Sequence, residues 1–346
     1  MAGRGTRGYS SYKGKRLGLK IALAVVLIAI LAAALLFLRF QDNIVFDEHG
    51  AHFEFPDNNS GGVTSSASGD TEEKEDPNAG LVVDIQKPTN ALAVIRVVSV
   101  SSLTGGDALA SAGNTAFAYT VMGEDGKLPY SSSVAGAISA GASGTDTSTA
   151  DKIAAMKASG LYAAARISCF RDDAYEKYDT AAAIKNVDNN VWYDGKIKAW
   201  LSPYSADARS YITAIAVECA QAGYNEIILD NSFFPTYGRT ERLNFTGETA
   251  TKTEAINAFL TELGAALKQY DVRLAISVPS DYVINGSDAA AGFDIKTLPD
   301  CVERLYVSGG DEAKLREAYS AARPDSDANA CVVVSSVSET GSCLVS

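Results

Sequence analysis

The stretch NEIILDNSFFP, Asn225–Pro235, decides the fold. Ile227, Ile228 and Leu229 run without a break into Asp230, and Asn231, Ser232, two phenylalanines and Pro235 follow. A short continuous apolar run reads as a strand covered on both faces, which is the pattern of a parallel sheet. A strand of that kind ending on a carboxylate puts an acid at the rim of the sheet.

Similar runs recur on both sides of it. ALAVIRVV (91–98), TAFAYTV (115–121) and LYAAARIS (161–168) precede it, and VRLAISV (272–278), CVERLYV (301–307) and ACVVVSS (330–336) follow. Helical patterns separate several of them. Ser205 can cap a helix with Ala208, Tyr211, Ile212, Ile215, Ala216 and Cys219 on one face, and Gly223 stops it. A second carries Ile256, Phe259, Leu260, Leu263 and Leu267. This alternation predicts an α/β fold, a (β/α)8 TIM barrel over residues 81–346. Its last βα unit is expected to be incomplete, because an eighth strand would fall in GSCLVS with no helix after it. A doubly wound sheet is the competing architecture, but no glycine-rich phosphate turn follows the first strand.

The chain before residue 81 has a different character. Residues 1–20 form a basic tail, and Ile21–Leu38 carry no charge. Eighteen residues at 1.5 Å rise span about 27 Å, close to the hydrocarbon thickness of a bilayer. With the basic flank first, the N-terminus is expected in the cytoplasm and the rest outside the cell membrane. A cleavable signal peptide would need its small-residue site at Ala32–Ala34, inside the apolar run. Residues 41–56 read as a short juxtamembrane hairpin. Residues 57–80, rich in Ser, Gly, Asn, Asp and Glu, read as a flexible linker.

Charge and histidine content narrow the function. Seven of the 30 Lys and Arg lie in residues 1–40, which hold no acid, so the remainder has 23 against 42 Asp and Glu, a net of −19. Such a surface repels nucleic acid. The two histidines are His49 and His52, so no Ser–His–Asp triad or histidine-ligated zinc site can arise in residues 81–346. The five cysteines lack metal-ligand spacing. Cys169, Cys219 and Cys331 sit in apolar contexts, while Cys301–Cys331 or Cys331–Cys343 could pair. Asp- and Asn-rich loops suit calcium, but EF-hand spacing is absent. No cofactor and no metal are expected.

In a barrel the strand C-termini form the active face. Arg166 and Ser168 end the third strand, Asp230 and Asn231 the fourth, Ser277 the fifth, and Tyr306 the sixth. Glu226 begins the fourth strand and belongs to the opposite face. The loop VWYDGKIKAWLSPY (191–204) gathers Trp192, Tyr193, Trp200 and Tyr204, whose rings could stack on sugar faces or simply pack the loop.

GLYAAARISCFRDD, VWYDGKIKAWLSPYSADARSYITAIAVECAQAGYNEIILDNSFFP and VRLAISV together resemble the bacterial "putative glycosyl hydrolase domain", a TIM-barrel group related to alpha-amylase-like enzymes. The resemblance runs from about Asn114 to Tyr306. It matches Arg166, Phe170, Arg171 and Asp172 around strand three, and Trp192, Ala199, Trp200, Pro203 and Tyr204 in the loop. Asp230, Phe234 and Pro235 match at strand four. It implies a glycoside hydrolase with Asp230 as nucleophile or base. The chain departs from the pattern at Thr120–Met122, where the group has Asp-Val-Lys, and at Ser202, where it has Asp. Asn231 and Phe233 replace a Tyr and an Arg, and Ser277 stands where an acid is expected.

Glycoside hydrolysis needs two carboxyls, about 5–5.5 Å apart for retention or about 6.5–9.5 Å for inversion. The partner of Asp230 must come from a loop. Asp172 and Asp194 are the foremost candidates, with Asp125, Glu124 and Asp281 behind them. Substrate contacts are expected from Arg166, Trp192, Trp200, Tyr204, Asn231 and Tyr306. Two functions follow: a membrane-anchored extracellular glycoside hydrolase acting on a polysaccharide or cell-surface glycan, or a degenerate barrel that binds glycan or an envelope partner without cleaving it.

Overall fold

Eight parallel strands close into a barrel: β1 (Arg96–Val100), β2 (Ala116–Met122), β3 (Tyr162–Ser168), β4 (Glu226–Asp230), β5 (Arg273–Pro279), β6 (Val302–Ser308), β7 (Cys331–Val334) and β8 (Cys343–Val345). Each pairs with the next in chain order, and β8 returns to β1 through Leu344 opposite Val97. The computed structural model describes residues 44–47, 50–53, 92–334 and 342–345.

Alternation along the strands builds two cores. Inward-facing Val97, Ala116, Ala118, Ala164, Ile228, Ala275, Tyr306, Val332 and Leu344 fill the barrel. Many are alanines because a closed eight-stranded barrel leaves little interior volume. The intervening Phe117, Val121, Ala163, Ala165, Ile227 and Leu229 face the surrounding helices. Between β3 and β4 comes α3 (Asp173–Tyr178), then α4 (Ala206–Gln221). Earlier, α1 (Gly106–Ser111) follows β1 and α2 (Thr149–Ala158) follows β2. The Ser205 side chain caps α4 on the Ala208 N–H, and α4 buries the six residues its spacing predicts. α5 (Lys252–Leu267) starts with a reciprocal capping box, Thr251 with Glu254, and buries the predicted apolar stripe. α6 (Ser280–Asn285) and α7 (Glu312–Ala322) follow β5 and β6.

The first strand departs from its expected position. It begins at Arg96, so Leu92–Ile95 precede it. Two of their N–H groups are taken by side chains, Leu92 by Asp327 Oδ2 at 2.8 Å and Ile95 by Ser342 Oγ at 3.1 Å. Those donors are satisfied without a strand ladder. The eighth strand does lie in the last residues, with residues 335–342 between it and β7.

All five cysteines are free thiols, with Cys169, Cys219 and Cys331 buried as their apolar contexts predict, and neither Cys301–Cys331 nor Cys331–Cys343 is bridged. Cys331 opens β7 opposite Leu305, whereas Cys343 pairs with Val333 further along. Cys301 instead points its sulfur at the Leu260 carbonyl, 3.3 Å away.

By contacts the chain divides into Met1–Val83 and Asp84–Ser346. In the first unit, Ile44–Asp47 pairs antiparallel with Gly50–Phe53. The basic tail 1–20, the apolar segment 21–38 and the linker 57–80 lie outside the described residues. Among the described residues no helix is long and apolar enough to cross a membrane.

Candidate functional site

The C-terminal mouth of the barrel is polar where its waist is apolar. Thr120 on β2, Arg166 and Ser168 on β3, Asp230 on β4, Ser277 on β5 and Ser308 on β6 line a cavity of about 410 Å³. Val334, Met122 and Pro279 supply apolar wall. A larger cavity of about 1060 Å³ lies against the opposite strand ends, beside Asn225, Asp271 and Arg273. Function in this architecture concentrates at the C-terminal face and stability at the other, so the smaller cavity is the candidate site.

At its centre Arg166 grips Asp230. Arg166 Nε reaches Oδ2 and Nη2 reaches Oδ1, both at 2.9 Å. Register explains the meeting: Ser168 lies opposite Asp230 and Arg166 opposite Ile228, so the guanidinium need only lean along the sheet. Two parallel N–H···O bonds fix the carboxylate plane. The pair keeps 28% and 21% of its side-chain surface, so it faces the cavity.

Asn231 takes the left-handed backbone conformation, φ 50°, which asparagine tolerates better than most residues. Its Nδ2 donates to Ser168 Oγ at 3.0 Å, and that hydroxyl donates to the Arg171 carbonyl at 2.9 Å. Tyr306 contributes its ring to the cavity wall, but its hydroxyl turns away and donates to Glu226 Oε1 at 2.7 Å. Glu226 also accepts from Tyr162 and pairs with Arg304, forming a buried charged layer beneath the cavity. Burial, reinforced by the Glu226 charge, holds the Tyr306 phenol well above its usual range.

The expected second carboxylates occupy other places. Asp172 is fully buried and caps α3, its Oδ1 accepting from the Ala174 and Tyr175 N–H groups at 2.7 and 2.8 Å. Its Oδ2 has no partner. Burial outweighs those two bonds and pushes the carboxyl up to about 6. An acid raised in the folded state destabilises the fold once ionised. Stability should therefore be full below about 3.8, fall as pH rises through about 6, and be lower by up to about 3 kcal/mol above that. Asp172→Asn keeps the cap and cannot ionise. Urea titrations from pH 4 to 7.5 are expected to show a flatter profile for this variant, and greater stability than the parent at pH 7.

Asp194 is also buried and serves as a bracket. It accepts from Arg171 Nε (2.9 Å), Trp200 Nε1 (3.1 Å), the Tyr237 hydroxyl (2.8 Å) and the N–H groups of Lys196 (2.8 Å) and Lys198 (3.0 Å). Burial pushes its carboxyl up, but these hydrogen bonds outweigh burial and hold it below the usual range.

The tryptophans pack the loop and do not line the cavity. Both are 3% exposed, and Trp192 Nε1 donates to the Arg239 carbonyl at 3.0 Å. Tyr204 sits in an aromatic cluster with Phe234 and Phe245, at 5.1 and 5.6 Å, its hydroxyl on the Ala250 carbonyl. Exposed rings in this region come from Tyr193 and Tyr237.

Among the loop acids named from the sequence, Glu124 is the one that lines the cavity with Asp230. It follows β2 on a turn closed by the Gly126 N–H to the Gly123 carbonyl, and Arg171 pairs with it. Gly126 has φ +73°, and a Cβ there would come within 1.8 Å of Asp172 Oδ1, so only glycine fits. Ser277 lines the cavity from the strand end the sequence gives it, whereas Thr120 and Ser308 join it without a distinguishing sequence pattern. No cluster of three metal-ligating side chains occurs among the described residues.

The PgaB (BpsB) glycoside hydrolase domain from Bordetella bronchiseptica superposes with a TM-score of 0.50 at 10% identity, over 70% of this chain and 84% of its own. A hypothetical protein from Ruminiclostridium thermocellum ATCC 27405 is 24% identical over 52% of this chain and 96% of its own, with a TM-score of 0.46. Aspergillus fumigatus Ega3, solved in complex with galactosamine, is 13% identical over 72% and 78%, with a TM-score of 0.44. At 10% identity the likeness to the PgaB domain is one of fold alone. No curated protein matches the chain. Residues 110–308 match the family described as "Putative glycosyl hydrolase domain". That match takes in more than half of the chain, including β2 through β6 and the Arg166–Asp230 pair, and the chain belongs to this glycosyl hydrolase domain family.

Proposed function

We propose that the barrel mouth binds a glycan around the Arg166–Asp230 pair and holds it without cleaving it. The observation that carries this reading is the composition of the cavity rim. Asp230 supplies a carboxylate engaged on both oxygens, and hydroxyls from Thr120, Ser277 and Ser308 stand around it. Hydroxyl, amide and paired ionic groups above an apolar wall suit sugar hydroxyls, which both donate and accept. Hydrolysis asks for a second carboxyl ready to give a proton. Ser277 cannot supply it, and Asp172 and Asp194 are sealed in the loop frame.

One observation favours turnover instead: Glu124 lines the same cavity. In that second reading Asp230 is the nucleophile or base and Glu124 the acid. Its engagement by Arg171 makes Glu124 an acceptor in this structure, which weighs against that role.

The domain is proposed to stand outside the cell, held by residues 21–38, on the strength of the charge flanks and the length of that segment. A panel of immobilised oligosaccharides tests the site. Binding by the parent is expected to weaken about a hundredfold in Asp230→Ala, equal to about 3 kcal/mol, because Arg166 is then left without its partner. Reducing ends should not accumulate. Release of reducing ends that is lost in both Asp230→Asn and Glu124→Gln would establish the hydrolase reading, and absence of any glycan binding would overturn both.

A further inference from the structure

A second space adjoins the cavity around Asp230 at β2. This recess of about 700 Å³ lies over the ends of β1 and β2, lined by Ser99, Val100, Ser101, Tyr119, Lys127 and Pro129. Thr120 and Gly123 line both spaces. The sill between them is therefore formed by Thr120 and by Gly123, which adds no side chain of its own. Tyr119 is half-buried and Ser99, Ser101, Lys127 and Pro129 are exposed, so the recess opens outward. Lys127 Nζ donates to the Gly141 carbonyl, which ties the 123–130 loop to the turn at residue 141.

We infer that the two spaces form one cleft for several units of a neutral polysaccharide chain, with Asp230 contacting one unit and the Tyr119–Lys127 recess the next. This rests on the reading of the barrel mouth as a glycan site, and goes beyond it by assigning an open cleft. A blind pocket of about 410 Å³ would accept a chain end, whereas a cleft running over the sill admits the interior of a chain. The neutral class follows from the charges. Asp230 is matched by Arg166 and Glu124 by Arg171, so among the described residues lining the two spaces Lys127 is the one charge without an ionic partner, too little to hold a polyanion or a polycation. The net −19 of residues 41–346 further opposes a polyanion.

The test is calorimetric titration of the full chain with cello-, manno- and chito-oligosaccharides of one to four units, and with oligogalacturonate as the charged probe. For the neutral series that binds, the trimer is expected to bind at least about tenfold more tightly than the monosaccharide. In Ser101→Trp, which fills the recess from an exposed position, that ratio should fall to near one, and Tyr119→Ala should lower it independently. A ratio near one in the parent, or one unmoved by both substitutions, overturns the cleft while leaving the Asp230 site standing. Tighter binding of oligogalacturonate than of any neutral oligomer overturns the neutral class. Failure of every oligomer to bind would instead overturn the glycan reading of the site.

Discussion

Glu226→Ala is expected to destabilise the barrel domain by about 3–5 kcal/mol, the loss typical of leaving a buried charge without its partner. Glu226 lies fully buried at the start of β4 and accepts from the Tyr162 and Tyr306 hydroxyls while pairing with Arg304. Arg304 is 2% exposed, and its Nε already lacks a partner. Removing the carboxylate leaves that guanidinium with the Ala93 carbonyl, 3.2 Å from Nη2, and orphans the Tyr306 phenol, while the Tyr162 hydroxyl keeps the Asn225 carbonyl at 3.1 Å. For a domain of this size each kcal/mol lowers Tm by about 2–4 °C, so a fall of roughly 10 °C is expected in a thermal melt. Glu226→Gln, which still accepts from the tyrosines, should fall less. A change below about 1 kcal/mol for the alanine variant would show that the layer does not brace the barrel. Because the Tyr306 ring is part of the cavity wall, glycan affinity should weaken along with stability.

Asp194→Ala is the second large effect, of about 3 kcal/mol or more, concentrated in one loop. The substitution removes the acceptor for five donors at once and leaves Arg171, also 2% exposed, with Glu124 alone. Buried donors stripped of an acceptor cost their full desolvation. Hydrogen exchange should quicken in residues 191–204 and 237–242, where Trp200, Tyr237 and Arg239 interlock, while β1 and β8 keep their protection. Uniform quickening across all eight strands would contradict a local bracket. The consequence for the site is indirect: Glu124 loses a fixed anchor on its side of the cavity.

How much of this was legible beforehand varies with the range of the physics involved. EIILD, Glu226–Asp230, reads as a strand from five residues, and the structure puts a strand on those five residues. α5 announces itself through Thr251 and Glu254 and a 3.6-residue stripe. Asp230 could be found because an apolar strand ending on an acid is a local pattern. Its pairing with Arg166 could not, since that depends on β3–β4 register across 64 positions of sequence. Trp192 and Trp200 illustrate the opposite limit. Their indole N–H groups find the Arg239 carbonyl and Asp194, long- and short-range partners that turn both rings inward. Composition alone leaves both sugar stacking and loop packing open for those rings, with packing the plainer reading. Asp172 and Asp194 looked available as acids because nothing in the sequence reveals burial within an irregular loop.

The decisive measurement is a crystal structure of the chain soaked with the tightest-binding oligosaccharide from the panel. A sugar ring against Asp230, Arg166 and Ser277 in the cavity of about 410 Å³ is the predicted result. A ring seated instead at the other end of the barrel, in the cavity of about 1060 Å³ beside Arg273 and Asp271, would contradict it.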